Sequence, residues 1–304
     1  MARKPVEKKE NVEIKPIKMR TIVVNLVGTD LIMHRFAVKA WRELLFPSHR
    51  QNAAGLAQSL KHEPMSEYRE CFYQNREEGD DAPTLFHLPR GMISKAMAAA
   101  ALDLPGATKA SIERLTSVAS QTVFLYGIPQ IRMDMVRNSD INKTPDVRTR
   151  PIFPRWAAPG VVLRYKADPL TDAQIFNLLG AAGDITGFGD ARQQKGGSPE
   201  EGGPFGGFRI VGADDPELLE IIAEGGREAQ RRAYLQPECN TATTADLLTW
   251  FYQELERREK DEQPSIDPAL AAAAERGRGR GRKGRGSGPS RKRDNGGGSD
   301  AVSP

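Results

Sequence analysis

The chain is 304 residues long, 38% apolar and 7% aromatic, with 44 basic against 40 acidic side chains and a formal net charge of +4. Its apolar runs fall far short of the roughly 20 residues that span a bilayer, and the charged segment at Met1 does not resemble a secretory leader. Its two cysteines, Cys71 and Cys239, are read as free thiols of a reducing cytoplasm. The charge is polarised: residues 1–20 carry +4, residues 275–304 carry +6, and the long body between them carries −6. The basic balance therefore describes the ends, while the body is long enough for one large domain or two small ones.

The first 20 residues, rich in Lys, Glu and Pro, are expected to form a flexible basic arm. Thr21–Val27 is β-branched and aliphatic and predicts a buried strand. Helical spacing of Phe36, Ala40 and Leu44 predicts a helix over Leu31–Phe46, stopped at Pro47. Ser48–Asp81 is polar and reads as an insertion or loop, with Glu67–Glu78 compatible with a helix. Arg90–Leu102 has a face of small residues suited to packing on a sheet, and Gln121–Tyr126 predicts a second strand. Ile128–Pro159, rich in Pro and Arg, shows no period and reads as a long irregular segment.

Gly160–Ala167 alternates as a strand. Thr171 and Gln174 fit a capping box that opens a helix ended at Gly183. Phe205–Val211 predicts another strand, and Pro216–Leu235 and Thr243–Lys260 two more helices. Glu254 with Arg258, and Glu256 with Lys260, make four-apart ion pairs on the last of these. The helical signal ends near Pro264, and beyond Ala274 the chain turns into Arg-Gly repeats that cannot bury a core; residues 264–304 should be disordered.

Strand, helix, strand, then strand, helix, strand is the βαββαβ order. The expected class is α+β: a ferredoxin-like (RRM-like) antiparallel sheet over residues 21–211 with helices on one face. Insertions fall at 30–88 and 128–159, and a helical extension covers 212–263.

Three features point to nucleic acid. Gly187, Gly189 and the later glycines let a backbone present its amides, with Phe188, Arg192 and Lys195 among them; the loop fits neither a Walker loop nor a dinucleotide fingerprint. Arg148, Arg150 and Arg155 alternate with Phe153 and Trp156, the cation and aromatic mixture that holds a single strand; Trp156 is equally suited to anchoring the segment in the core. His34 and Arg35 share that character. In the tail, Arg276, Arg278, Arg280 and Arg282 alternate with glycine and suit flexible phosphate capture. No histidine pair has zinc-helix spacing and no nucleophile has a nearby base in sequence, so neither a metal, a cofactor nor catalysis is expected. The loop acids Asp134 and Asp140 are the remaining candidates for a nuclease.

A glycine-rich loop between the second helix and last strand of such a fold resembles the RAMP superfamily, the repeat-associated RNA-binding proteins that form the backbone of CRISPR effector complexes. The resemblance is carried by Gly187, Phe188, Gly189 and Arg192, then Gly206, Gly207 and Phe208. The chain is also similar to a group of phage and prophage proteins over Leu31–Phe36, Arg148–Trp156 and Ala173–Val211. It departs from the compact RAMP loop in the longer, acidic spacer Gly196–Pro204.

Together these imply a cytoplasmic, non-catalytic protein that coats single-stranded DNA or RNA as a homo-oligomer, with a role in phage replication or recombination. A guide-RNA-binding subunit and a phage structural or assembly protein are the alternatives.

Overall fold

The computed structural model describes residues 16–35, 62–75, 81–137, 145–192 and 205–259. The expected basic arm before residue 16, the helix over 36–46, Asp140, Lys195 and the whole tail, including Arg276, Arg278, Arg280 and Arg282, lie outside the described residues.

The fold is α+β, with seven described helices and a five-stranded antiparallel sheet. Strand β1 (Met19–Ile32) runs well beyond the apolar stretch Thr21–Val27 before the chain turns. Leu31 and Ile32, expected to begin a helix, are instead its last residues, paired with Phe153 and Ile152. Helix α1 (Pro64–Glu70) follows, then a small hairpin-like pair, β2 (His87–Leu88) with β4 (Val123–Phe124). Between these two lie α2 (Arg90–Ala100), α3 (Lys109–Leu115) and β3 (Thr116–Val118). The predicted second strand is thus only two residues long and belongs to the small pair, not to the main sheet.

The largest departure from expectation is Ile128–Pro159. Instead of an irregular segment it forms β5 (Gln130–Arg137) and most of β6 (Pro145–Lys166), a 22-residue strand. Prolines argue against a central strand because each lacks a ladder donor; here Pro145 is the first residue of its strand, and Pro151, Pro154 and Pro159 sit where no ladder donor is needed. Pro151 gives its carbonyl to Met33 N at the end of β1, and Ile131 opposite turns its amide away to Glu238 O. Pro154 lies across from Asp30, which has left the ladder at φ 49°. Pro159 falls in the bulge between the Val24–Val161 and Leu26–Ala158 pairs, where Gly160 has φ 66° and donates its amide to Asn25 Oδ1.

Strand β6 pairs with β5, β1 and β3, and β1 pairs on its other side with β7 (Phe208–Val211). Helix α4 (Asp172–Ala181) carries the predicted capping box, Thr171 Oγ1 accepting from Gln174 N. It does not stop at Gly183 but continues through a π turn to Thr186. The predicted helix Pro216–Leu235 is broken by Gly225 and Gly226 into α5 (Pro216–Glu224) and α6 (Arg227–Leu235).

Helices lie on both faces of the sheet, not on one. Val24 and Leu26 point into the main core with Ile93 and Met97 of α2 and Ile175 and Leu179 of α4. Val27 and its register partner Ala157 point the other way and are covered by Leu218 and Ile221 of α5. Gln230 of α6 is fully buried and fully used: Oε1 accepts from the amides of Leu85 and Phe86, and Nε2 donates to the carbonyls of Leu125 and Gly127. That tying of α6 to the β2–β4 region satisfies four backbone groups that would otherwise be stranded.

Helix α7 (Ala242–Glu259) opens with Thr241 Oγ1 accepting from Thr244 N. The segment before it closes the outer edge of β5: Ile131 N donates to Glu238 O, Asn240 N to Ile131 O, and Met133 N to Thr244 Oγ1. The chain divides into two compact units after Trp250, inside this helix. In the second unit Arg257 pairs with Glu254 at 2.6 Å, three residues apart, while the expected pairs through Arg258 and Lys260 lie outside the described side chains. No helix of the described residues is long and apolar enough to cross a membrane.

Candidate functional site

The glycine segment after α4 is held against the end of β1. Asp190 N donates to Ile32 O, Phe188 N to Gly206 O, Gly206 N to Asp30 O and Thr29 N to Gly207 O. Two glycines are required by this approach. Gly189 has φ 82° and a Cβ there would lie 2.3 Å from Ile32 O; Gly206 has φ 75° and would place a Cβ 1.9 Å from Phe188 O.

Among the described residues of the loop, this geometry differs from the expectation that the amides are presented to phosphate; the glycines from Gly196 to Gly203 lie outside the described residues. The amides of Gly187 and Phe188 already donate to Ala182 O and Gly206 O, and the Phe188 ring is buried on Phe208 at 4.2 Å. Gly187, Gly189 and Gly206 serve close packing. Arg192, half-buried, bridges to Phe205, and its Nε is buried with no hydrogen-bond partner among the described residues.

The cationic and aromatic stretch is likewise reassigned. Phe153 is 0% exposed and meets Phe72 and Phe86 edge-on, so its ring has no face for a base; Trp156 is also fully buried. Arg150 is 4% exposed and holds Asp134 at 2.7 Å and Asp190 at 2.8 Å. Arg155 is exposed but chelated by Glu220 at 3.0 and 2.7 Å, a double hydrogen bond that raises the guanidinium pKa. Neither arginine offers an uncommitted fork to phosphate.

The residues that do converge are His34, Arg35 and Arg148. They line one pocket of about 210 Å³ at the end of the sheet, where β1 stops and β6 continues. Its second wall is α1 and the residue stretch around it, with His62, Glu67, Glu70 and Cys71; its third is the start of β6, from Asp146 to Thr149. Helix α1 occupies the β6 edge that β1 has vacated. Glu67 Oε2 accepts from Thr149 N, Cys71 Sγ donates to Thr149 O, and Arg35 N donates to Cys71 O at 2.8 Å. His62 bridges the two walls, its Nδ1 2.7 Å from Glu67 Oε1 and its Nε2 2.9 Å from Asp146 Oδ1.

Behind the pocket runs a line of alternating charge. Arg132 Nε reaches Asp134 at 2.9 Å, Arg150 joins Asp134 to Asp190, and Asp190 faces His34 Nδ1 at 3.7 Å. From the glycine segment, Asp190 is the residue that reaches this line. Sequence reasoning missed the roles of His62, Glu67, Asp146 and Asp190: His62 and Asp146 are 84 positions apart, and nothing in their local spacing announces the contact.

Neither Arg35 nor Arg148 is paired with a carboxylate among the described residues, unlike Arg132, Arg150, Arg155 and Arg209. The described residues contain no group of His, Cys, Asp and Glu that could hold a metal ion. Burial pushes the Cys71 thiol up to about 12, against the pull of Arg150. The thiolate is scarce at neutral and mildly alkaline pH. Cys71 should therefore resist iodoacetamide in the native protein and react only after unfolding; labelling of the folded chain, read by peptide mass, would contradict the burial.

Comparison of the chain with models of known families and with curated proteins gives no match.

Proposed function

We propose that the protein binds single-stranded nucleic acid, and that the pocket between β1, α1 and β6 is where the folded body engages the strand. The carrying observation is the convergence of His34, Arg35 and Arg148, from two remote stretches, on one cavity in which both guanidiniums lack a carboxylate partner among the described residues. Strand order supports the same reading. In β7-β1-β6-β5, with α2 and α4 as the two crossover helices, the sheet fits the antiparallel order of a ferredoxin-like βαββαβ unit. On that fit the glycine segment lies between the second crossover helix and the last strand, the slot on which the RAMP resemblance rests. The basic stretches at the two ends of the sequence supply nonspecific capture, and the chain coats the strand as a homo-oligomer.

The expected result is salt-dependent binding of a fluorescent single-stranded oligonucleotide by anisotropy. Replacing both Arg35 and Arg148 by Ala should weaken it by about tenfold per lost contact, since a charge-assisted hydrogen bond contributes about 1.5–3 kcal/mol. The same change should flatten the dependence of log affinity on log salt by about 0.7 for each phosphate contact removed. Arg155→Ala should leave both unchanged because its fork is already held by Glu220. Wild-type affinity in the double variant would reject the pocket as the binding site.

A further inference from the structure

Strand β1 pairs with β6 from Met19 to Ile32, but on its other side β7 covers only Asn25–Gly28. The stretch Met19–Val23 is left as an edge. Where its main-chain groups point follows from the strand opposite. Val162 N donates to Ser120 Oγ and Val162 O accepts from Ala119 N, while Arg164 O accepts from Ser117 Oγ. Val162 and Arg164 therefore turn toward β3. Val23 and Thr21, their register partners, and Met19 two residues earlier turn away from β6. The amides and carbonyls of these three residues line the edge, and no described residue bonds to them.

Edges of this kind are commonly blunted by Pro, by Lys or by an inward charge. Here the three positions are Met, Thr and Val, on the sheet face opposite Val24, with Val23 64% exposed and Met19 38%. The segment is complementary to itself. In an antiparallel pairing about a two-fold axis at Thr21, Thr21 meets Thr21 of a second copy and Met19 meets its Val23. Every outward amide then finds an outward carbonyl, and the facing side chains form one Thr–Thr and two Met–Val pairs, both favourable combinations. The two Arg20 side chains lie diagonally across the axis, each beside Asp172 of its own α4 at 3.7 Å, so that neither stands as a bare charge against the other.

Length and charge match as well. A strand added to this edge must end opposite Val24, because Val211 of β7 already occupies the place beside Asn25. The second copy's β1 begins at Met19, so its strand ends where the edge ends. Its next residue, Lys18, falls opposite Val24, beside the turn that follows β7. That turn carries Asp214, which like Lys18 is exposed and has no ion pair among the described residues. We propose that Met19–Val23 is the interface through which two copies of this chain join, making one sheet that runs β3-β6-β1 in one copy and β1-β6-β3 in the other. The interface gives the homo-oligomer a defined contact, and it does not depend on a nucleic-acid strand being bound.

The test is sedimentation velocity of the full chain, treated with nuclease, over a range of concentrations up to about 100 μM, where even a small interface is populated. The wild-type chain should associate reversibly. Thr21→Pro removes the central amide from the interface and none from the chain's own ladder, since that amide faces outward; it should raise the dissociation constant about tenfold or more. Circular dichroism and the urea midpoint show whether this variant folds. Lys18→Glu and Asp214→Lys, both on the surface, should each weaken association about threefold, and the two together should restore it, a recovery that a folding defect does not produce. A wild-type chain that stays single at about 100 μM overturns the proposal. So does an assembly that a folded Thr21→Pro variant and the two charge reversals leave unchanged. With no nucleic acid present, a failure of this interface is read separately from a failure of strand binding in the anisotropy assay.

Discussion

Replacing Arg150 by Ala should destabilise the fold by about 3 kcal/mol, measured as a fall in the urea midpoint at unchanged slope. The side chain is 4% exposed and is the bridge between Asp134 on β5 and Asp190 on the glycine segment. Removing it takes the shared guanidinium from two carboxylates that are each about four-fifths buried, 22% and 19% exposed, leaving Asp134 to Arg132 and Asp190 facing His34 at 3.7 Å. Because both acids retain some contact with water, the lower end of the roughly 3–5 kcal/mol range for a broken buried pair applies. The triple variant Arg150→Met, Asp134→Asn, Asp190→Asn removes the stranded charge and should recover most of the loss. A single Arg150→Ala variant as stable as wild type would show that the ion line contributes nothing to docking of the glycine segment.

The second large effect is expected at Phe153. Its ring is wholly inside, wedged against Phe72 and Phe86, and its backbone pairs with Leu31. Phe153→Ala should cost about 3–5 kcal/mol of stability, the sum of lost transfer energy and the cavity left behind. Were the ring instead a platform for a base, truncation would leave stability within about 0.5 kcal/mol and remove about 1–3 kcal/mol of strand affinity. Equilibrium unfolding and anisotropy on the same variant separate the two outcomes.

Local signals are legible in this sequence and long-range ones are not. Thr171 with Gln174, the β-branched run at Thr21–Val27 and the alternation in Gly160–Ala167 are each decided within a few residues, and each marks an observed element. The stretch Arg148–Trp156 defeats the same reasoning because its prolines carry a strong prior against a strand. That prior is relieved only by partners elsewhere: the end of β1, the kink at Asp30 and the bulge at Gly160. Its alternating Arg and aromatic residues resemble a surface because periodicity cannot say which face is covered. In the fold Phe153 and Trp156 are core, Arg150 is an interior bridge, and of the three arginines Arg148 reaches the pocket without a carboxylate partner among the described residues. The candidate site is half legible for the same reason. His34 and Arg35 stand out by lying beside a strand end, while His62 and Glu67 belong to a polar stretch whose packing on β6 no spacing reveals.

A long hairpin such as β5–β6 is ordinarily a hazard, since its outer strand offers a row of unmatched amides and carbonyls on which another molecule can grow a cross-β stack. Here Ile131 and Met133 have already committed those groups to Glu238, Asn240 and the Thr244 hydroxyl. Growth from the Ile131–Met133 end of that side is blocked by the protein's own chain, next to the Arg132–Asp134 pair that β5 also carries, while Met135 further along remains exposed.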